Sequence, residues 1–300
     1  MTSSRSLGKP HSAWTAADLP SFAGRTVIVT GANSGLGFVT ARELARVGAK
    51  TILAVRNEAK GDEAAASMTG DVEVRSLDLQ DLASVRAFAD GVDSVDVLVN
   101  NAGIMAVPYA QTVDGFESQI GTNHLGHFAL TNLLLPKITE RVVTVSSVLH
   151  FMGYISLKDL NWKSRPYFAW PAYGQSKLAN LLFTSELQRR LSAAGSALKA
   201  HAAHPGYSET NLQGNRGNPI GAWLVKNVQP LVTTDADFGA RQTLYAVAKD
   251  LPGDSFIGPR YAMRGPTGPT PMRSPLARDA TKAAGLWALS EQLTDTKFSL

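Results

Sequence analysis

Tyr173 and Lys177 stand four positions apart in YGQSK. On a helix that spacing projects both side chains from one face. A free tyrosine has a pKa of about 10 and is a poor acid or base near neutrality. An ammonium one turn away favours tyrosinate and is expected to bring the phenol toward the working range. The pair alone is ordinary, since a surface tyrosine beside a solvated lysine has the same spacing. The second chemical feature is TGANSGLG, where Gly31, Gly35 and Gly37 follow the β-branched run Val27, Ile28 and Val29. Strand, glycine-rich turn and helix together present backbone N–H groups and a helix N-terminus to a pyrophosphate. The spacing is T-G-x-x-x-G-x-G rather than G-x-G-x-x-G. A tight βα turn without a ligand is the structural alternative.

Such groups need a scaffold, and the composition allows one. Three hundred residues, 44% of them hydrophobic, can bury a large single core. The net charge of +4 comes from scattered Lys and Arg with no basic stripe alternating with aromatics, so a nucleic-acid partner is not supported. The absence of cysteine removes disulfides, thiolate catalysis and cysteine-ligated metal. The six histidines form no H-E-x-x-H or comparable pair, so no metal site is expected. No G-x-S-x-G elbow occurs, which argues against an α/β-type serine hydrolase. Residues 1–23 lack a continuous apolar segment, and the uncharged run 118–136 carries Gln119, Asn123, His124, His127 and Asn132. No signal peptide or membrane span is expected, and the expected location is the cytoplasm.

The elements that position these residues alternate. Residues 1–22 read as a polar leader anchored by Trp14, Leu19 and Phe22, and 23–300 as one domain. Strands are expected at Val27–Val29, Thr51–Val55, Val72–Leu77, Val95–Val99, Val142–Val145 and Leu198–Ala203. Helices are expected after the glycine turn, at 58–68 with Asn57 as N-cap, at 82–89, at 115–135 closed by Pro136, and at 172–191. Beyond Gly206 the pattern loosens into a lid at about 207–232 and a helix at 236–248. A loop at 252–275 with six of the fifteen prolines and a last helix at 274–293 follow. This alternation predicts an α/β fold with a doubly wound parallel, Rossmann-like sheet and ligands at the carboxyl ends of its strands.

The motifs sit at those ends in one order: TGANSGLG, Asp78-Leu79, NNAG at 100–103, Asn123, Ser146-Ser147, YGQSK and His204-Pro205-Gly206. As a set they resemble the short-chain dehydrogenase/reductase family over about residues 23–210. The 26-position gap from Ser147 to Tyr173, LAVRN, SKLAN and AGLWALSEQLT resemble its retinol-dehydrogenase-like branch. The resemblance implies that Gly31, Gly35 and Gly37, with Asn33, Ser34 and Leu36 between them, line the pyrophosphate of a nicotinamide cofactor. Asp78 would face the adenine and Leu79 would flank it. Asn100, Ala102 and Gly103 would pack along the cofactor near its ribose and stabilise the central strand. Pro205 and Gly206 would border it, and Thr210 would contact the carboxamide. Tyr173 would be the acid/base, and Lys177 would hold the ribose while lowering the tyrosine pKa. Ser147, favoured over its neighbour Ser146, would polarise the substrate oxygen, and Asn123 would support a proton relay. Family members often pair through the helices placed here at 115–135 and 172–191, so a homo-oligomer is a further expectation.

Two readings come from the residues themselves. An acidic side chain after the second strand reads a ribose 2′-OH, whereas a 2′-phosphate needs a cation. Here TILAV ends in Arg56-Asn57 with no acid from 51 to 57, which points to NADP(H). The insertion 148–172 carries Phe151, Tyr154, Trp162, Tyr167, Phe168 and Trp170. Aromatic walls suit an apolar carbonyl or alcohol substrate, unless these rings merely pack the insertion onto the body. The expected function is carbonyl–alcohol interconversion; reduction of an activated C=C bond and a silent cofactor-binding sensor or scaffold are the alternatives.

Overall fold

A computed structural model describes residues 14–206 and 236–300. In the first strand Ile28 packs into one apolar cluster while Val27 and Val29 pack into another, all three fully buried. Leu98 against Val97 and Val99, and Val142 against Val143, divide the same way. Successive strand residues point to opposite faces, so unbroken apolar runs mark a sheet covered on both sides.

The chain alternates β1 (Thr26–Thr30), α1 (Gly35–Arg46), β2 (Lys50–Val55), α2 (Glu58–Ala66), β3 (Asp71–Ser76), α3 (Leu82–Asp90) and β4 (Val95–Asn100). It continues through α4 (Ser118–Ile120), α5 (Gly126–Leu134), β5 (Ile138–Val145), α6 (Ala169–Ala193) and β6 (Lys199–Ala203). After the undescribed stretch come α7 (Ala236–Ala248), β7 (Phe256–Pro259), β8 (Thr267–Pro269) and α8 (Ala280–Thr294). The sheet order is β3-β2-β1-β4-β5-β6-β7-β8, parallel except for the antiparallel β8. β1 pairs with both β2 and β4, so the order reverses beside it and a crevice opens above its carboxyl end. Leu44, Ala64 and Leu244 of α1, α2 and α7 cover one face; Phe88, Phe128, Phe183 and Trp287 of α3, α5, α6 and α8 cover the other.

Several expectations need correction. The helix expected over 115–135 is three pieces: α4, a π-helical turn Gly121–Leu125, and α5. It starts late because the Glu117 carboxylate caps it, accepting from the amides of Gln119 and Ile120 at 2.9 and 2.8 Å. The proline-rich stretch read as loop contains β7 and β8. β8 is a three-residue edge strand ending in Pro269, and an edge is where a sheet tolerates proline. The last helix divides into a 3-10 turn, Pro275–Arg278, and α8, which Asp279 caps through the Lys282 amide. α6 begins at Ala169, three residues early, because Pro171 lies in the first turn where a missing N–H costs nothing. β5 starts four residues early, at Ile138.

Leu19 and Phe22 are buried as expected, and Trp14 meets Tyr245 edge-on at 5.3 Å. The remainder of the leader, the lid at 207–232 and Thr210 lie outside the described residues. Trp287 stacks on Phe183 at 5.7 Å and meets Phe128 edge-on at 4.9 Å. Part of the surface of the two helices expected to pair copies is therefore covered by the chain's own α8. Among the described residues no helix is long and apolar enough to cross a membrane.

Candidate active site

Ser147, Tyr173, Lys177 and Asn123 converge where β5, α6 and the π turn meet. Ser147 ends β5 and caps the following 3-10 turn, its Oγ accepting from the Leu149 amide at 3.1 Å. Its side chain also faces the Tyr173 phenol, where it favours the ionised form. The adjacent Ser146 points the other way, its hydroxyl donating to the Lys177 carbonyl at 2.8 Å. Lys177 Nζ donates to the Val145 carbonyl at 3.1 Å and lies 5.7 Å from the Tyr173 ring centre. Asn123 is clamped by three bonds: Oδ1 accepts from the Ile104 amide at 2.8 Å, and Nδ2 donates to the Ile104 carbonyl at 2.9 Å and Ser176 Oγ at 2.8 Å. A Cβ on Gly103 would stand 3.1 Å from Asn123 Oδ1 and 3.4 Å from Lys177 Nζ, so glycine leaves a slot between them. π turns are frequent at functional sites, and here one carries Asn123.

The protonation states differ from the expectation. Burial pushes the Tyr173 phenol up to about 12, opposed only by the polar Ser147 side chain. Burial likewise pushes Lys177 down to about 8. The lysine does not lower the tyrosine here, because its ammonium is turned to the Val145 carbonyl rather than to the phenol and desolvation outweighs the rest. The Tyr173 phenol thus stays protonated near pH 7.

The insertion between serine and tyrosine is fastened at both ends. A Cβ on Gly153 would stand 2.3 Å from the Gly174 carbonyl oxygen, and one on Gly174 would stand 2.9 Å from the Gly153 amide. Two glycines thus let backbone meet backbone directly beside Tyr173. His150 adds a strut: its Nδ1 donates to the Ser147 carbonyl at 2.7 Å, and its Nε2 accepts from the Ser274 amide at 3.1 Å. At the far end Tyr167 accepts from Gln119 Nε2 at 2.7 Å and lies 3.1 Å from both Glu117 Oε1 and the Val107 carbonyl. The six aromatics divide accordingly. Trp162 and Tyr167 pack inward, edge-on to each other at 5.6 Å, whereas Phe151, Tyr154, Phe168 and Trp170 are 48% to 61% exposed. Trp162 and Tyr167 follow the packing alternative, and Phe151 follows it in part through its ring contact with His150 at 4.4 Å.

Across the crevice, Gly31 has φ +64° and its Cβ would stand 2.9 Å from that of Ala102, so the turn after β1 lies directly on the NNAG turn. α1 starts at Gly35, and Ser34, its exposed N-cap, makes no side-chain cap. The first-turn amides have no capping side chain from it, which suits an anion. Asn33 and Leu36 line this turn half-buried, and Gly37 is packed under it against the Gly31 carbonyl. Arg56 is exposed just past β2, and makes no ion pair among the described residues. Asp78 is half-buried, its carboxylate accepting from the Gln80 amide at 2.9 Å. Leu79 is buried against Gly126. Asn100 turns into the body, donating to Thr131 and Thr144 at 2.9 and 3.4 Å, which is the strand-stabilising half of its expected role. Pro205 and Gly206 follow β6, with Gly206 at φ +75° against the Met263 carbonyl. These residues fit a dinucleotide: an uncapped helix N-terminus, a glycine cradle and the Lys177 ammonium lie along one crevice.

The sequence reading missed Thr30, His127 and His150. Thr30 Oγ1 receives the amides of both Asn101 and Ala102 at 2.9 Å and lies 2.8 Å from His127 Nε2. The available signal was the four-residue spacing of Asn123 and His127 on one helix.

A family model described as short chain dehydrogenase matches residues 25–159. Human retinol dehydrogenase 13 is 42% identical over 290 residues, 90% of this chain and 84% of that protein. Mouse retinol dehydrogenase 12 is 43% identical over 242 residues, 76% of this chain and 75% of that protein. A crystal structure of an uncharacterized protein from Mycobacterium Paratuberculosis is 67% identical, with a TM-score of 0.87, covering 96% of this chain and all of that one, 100%. With identity of this order over most of its length, the chain belongs to the short-chain dehydrogenase/reductase family of oxidoreductases, in its retinol-dehydrogenase-like branch.

Proposed function

We propose that the protein is an NADP(H)-dependent oxidoreductase that interconverts a carbonyl and an alcohol on a bulky apolar molecule, with Tyr173 as acid/base. The observation that carries this reading is the buried, neutral Tyr173 phenol facing the Ser147 side chain, with Lys177 buried one turn away. A protonated phenol beside a hydroxyl can donate to a carbonyl oxygen as hydride reaches the carbon. The cofactor supplies the hydride; the chain orients both partners and holds the proton. Ser147 polarises the substrate oxygen and Asn123 supports proton resupply.

Arg56 favours the 2′-phosphate, since it projects at the end of β2 with no acidic neighbour from 51 to 57 and no ion pair among the described residues. The four exposed aromatics favour an apolar substrate, as do relatives named for retinol. An NADPH-consumption assay over aldehydes and ketones of graded apolar size tests the reading. Rising kcat/KM with apolar size supports it. No turnover of any carbonyl, with cofactor still bound, would instead favour a binding protein; turnover of enones at the C=C bond alone would move the reaction class.

A further inference from the structure

We infer that His127 is a positioning residue that ties the cofactor turn to the Asn123 turn through one fixed tautomer; the inference rests on the function proposed above. His127 lies in α5, 2% exposed. Its Nδ1 is 3.1 Å from the Asn123 carbonyl oxygen, which can only accept, so Nδ1 carries the proton. Nε2 is then a bare acceptor, and Thr30 Oγ1 at 2.8 Å must donate to it. The Thr30 proton committed, its two lone pairs receive the amides of Asn101 and Ala102 at 2.9 Å each. Every donor and acceptor in this chain of bonds has one role only.

The two ends of the imidazole serve different parts of the crevice. The Thr30 end fixes Asn101 and Ala102, and Ala102 is the residue against which Gly31 packs. The Asn123 end holds the carbonyl of the π turn whose side chain clamps Ile104 and Ser176. Without His127 the Thr30 hydroxyl can turn its proton to the Val99 carbonyl, 3.4 Å away, and the constraint on the turn is relaxed. A buried apolar replacement would keep the packing while removing both bonds.

The test is NADPH affinity by fluorescence titration, with kcat, for His127→Phe, His127→Gln, Thr30→Val and the double variant Thr30→Val/His127→Phe. His127→Phe is expected to raise the NADPH Kd about tenfold and lower kcat by a similar factor, as misplacement of a bound reactant does. His127→Gln, whose amide can accept from Thr30, is expected to recover Kd to within about threefold while kcat stays low, because it no longer holds the Asn123 carbonyl. The double variant should bind NADPH no more weakly than Thr30→Val, the signature of coupled partners. Should His127→Phe fail to fold, a His127→Gln that changed neither Kd nor kcat would overturn the inference. So would a folded His127→Phe with unaltered Kd and kcat, or additive losses in the double variant. A wild-type chain that binds no nicotinamide dinucleotide overturns the proposed function and this inference together, which separates the two failures.

Discussion

The Ser146 hydroxyl donates to the Lys177 carbonyl 2.8 Å away, while the neighbouring Ser147 side chain faces the Tyr173 phenol of the same helix. Consecutive residues at a strand end face opposite ways, so one serine meets the substrate side and the other fastens α6 to β5. Ser147→Ala should lower kcat by about 10²-fold or more. Ser146→Ala should cost about 1 kcal/mol of stability with a smaller effect on kcat. Steady-state kinetics and urea unfolding of the two variants check this, and the reverse order would transfer the role to Ser146.

Tyr173→Phe keeps the ring and removes the transferable proton. We expect kcat to fall by about 10²–10⁴-fold with NADPH affinity nearly unchanged. Lys177, pushed down to about 8 by burial, loses its charge as pH rises through that value. The kcat/KM profile of the wild type should therefore decline above about pH 8, since that ratio reports groups of the free enzyme. A profile flat to pH 9.5, or a Tyr173→Phe variant with near-normal kcat, would discard these assignments.

Arg56 stands at the position where β2 meets α2, with Asn57 occupied in capping the Lys60 amide at 3.0 Å. The wild type should bind NADPH more tightly than NADH. Arg56→Asp should cut that preference by about tenfold or more, equivalent to about 1.4 kcal/mol. Fluorescence titration with both cofactors decides; equal affinities in the wild type remove the basis for the choice.

Of the five buried histidines, four are shifted far enough to make the fold acid-sensitive. Burial, first in each case, pushes His124 and His127 down to about 3, and His201 and His204 down to about 4. They are neutral in the folded chain and take up protons once unfolded, so their contribution is fully present above about pH 6.5 and is lost as pH falls toward 4 for His201 and His204 and toward 3 for His124 and His127. Inside that window each lowers stability by about 1.4 kcal/mol per pH unit. Thermal unfolding should show Tm falling by roughly 10 °C between pH 6.5 and 5; a Tm constant over that range contradicts it.

Phe151 leans on His150 at 4.4 Å, and His150 holds the Ser147 carbonyl. Trp170 lies three residues before Tyr173, on the same side of α6. Both are exposed, so Phe151→Ser and Trp170→Ser should leave Tm within about 2 °C while lowering kcat/KM for large apolar carbonyls by about tenfold. Small carbonyls should be little affected. Equal losses for both classes would make these rings unrelated to substrate size.

The sheet was legible because Val27-Ile28-Val29 and Val97-Leu98-Val99 need two covered faces and say so in composition. The crevice was legible because glycine, tyrosine and lysine carry chemistry at recognisable spacings. What escaped was context. Proline marks a loop on its own, and only a finished sheet edge reveals β8 as a place that tolerates it. The uncharged run around Asn123 has helical composition, and the π turn arises from Asn123 reaching to Ile104 and Ser176, contacts remote in sequence. The direction of the Tyr173 shift depends on burial, which no four-residue spacing encodes.

The Gly153–Gly174 backbone contact has a consequence for how such a protein can change over generations. The excursion from Ser147 to Tyr173 returns to α6 after only six residues and is held again at Tyr167, so its middle is a module with fixed feet. Closing a flexible loop of twice the length costs only about 0.6 kcal/mol more. Exposed positions of the module, such as Lys158, Lys163 and Ser164, can therefore be exchanged or extended while the hydroxyl and the phenol keep their separation, whereas Ile155, Leu160 and Trp162 stay fixed because they are buried in the body. Selectivity can drift there without disturbing proton transfer, provided neither glycine acquires a side chain.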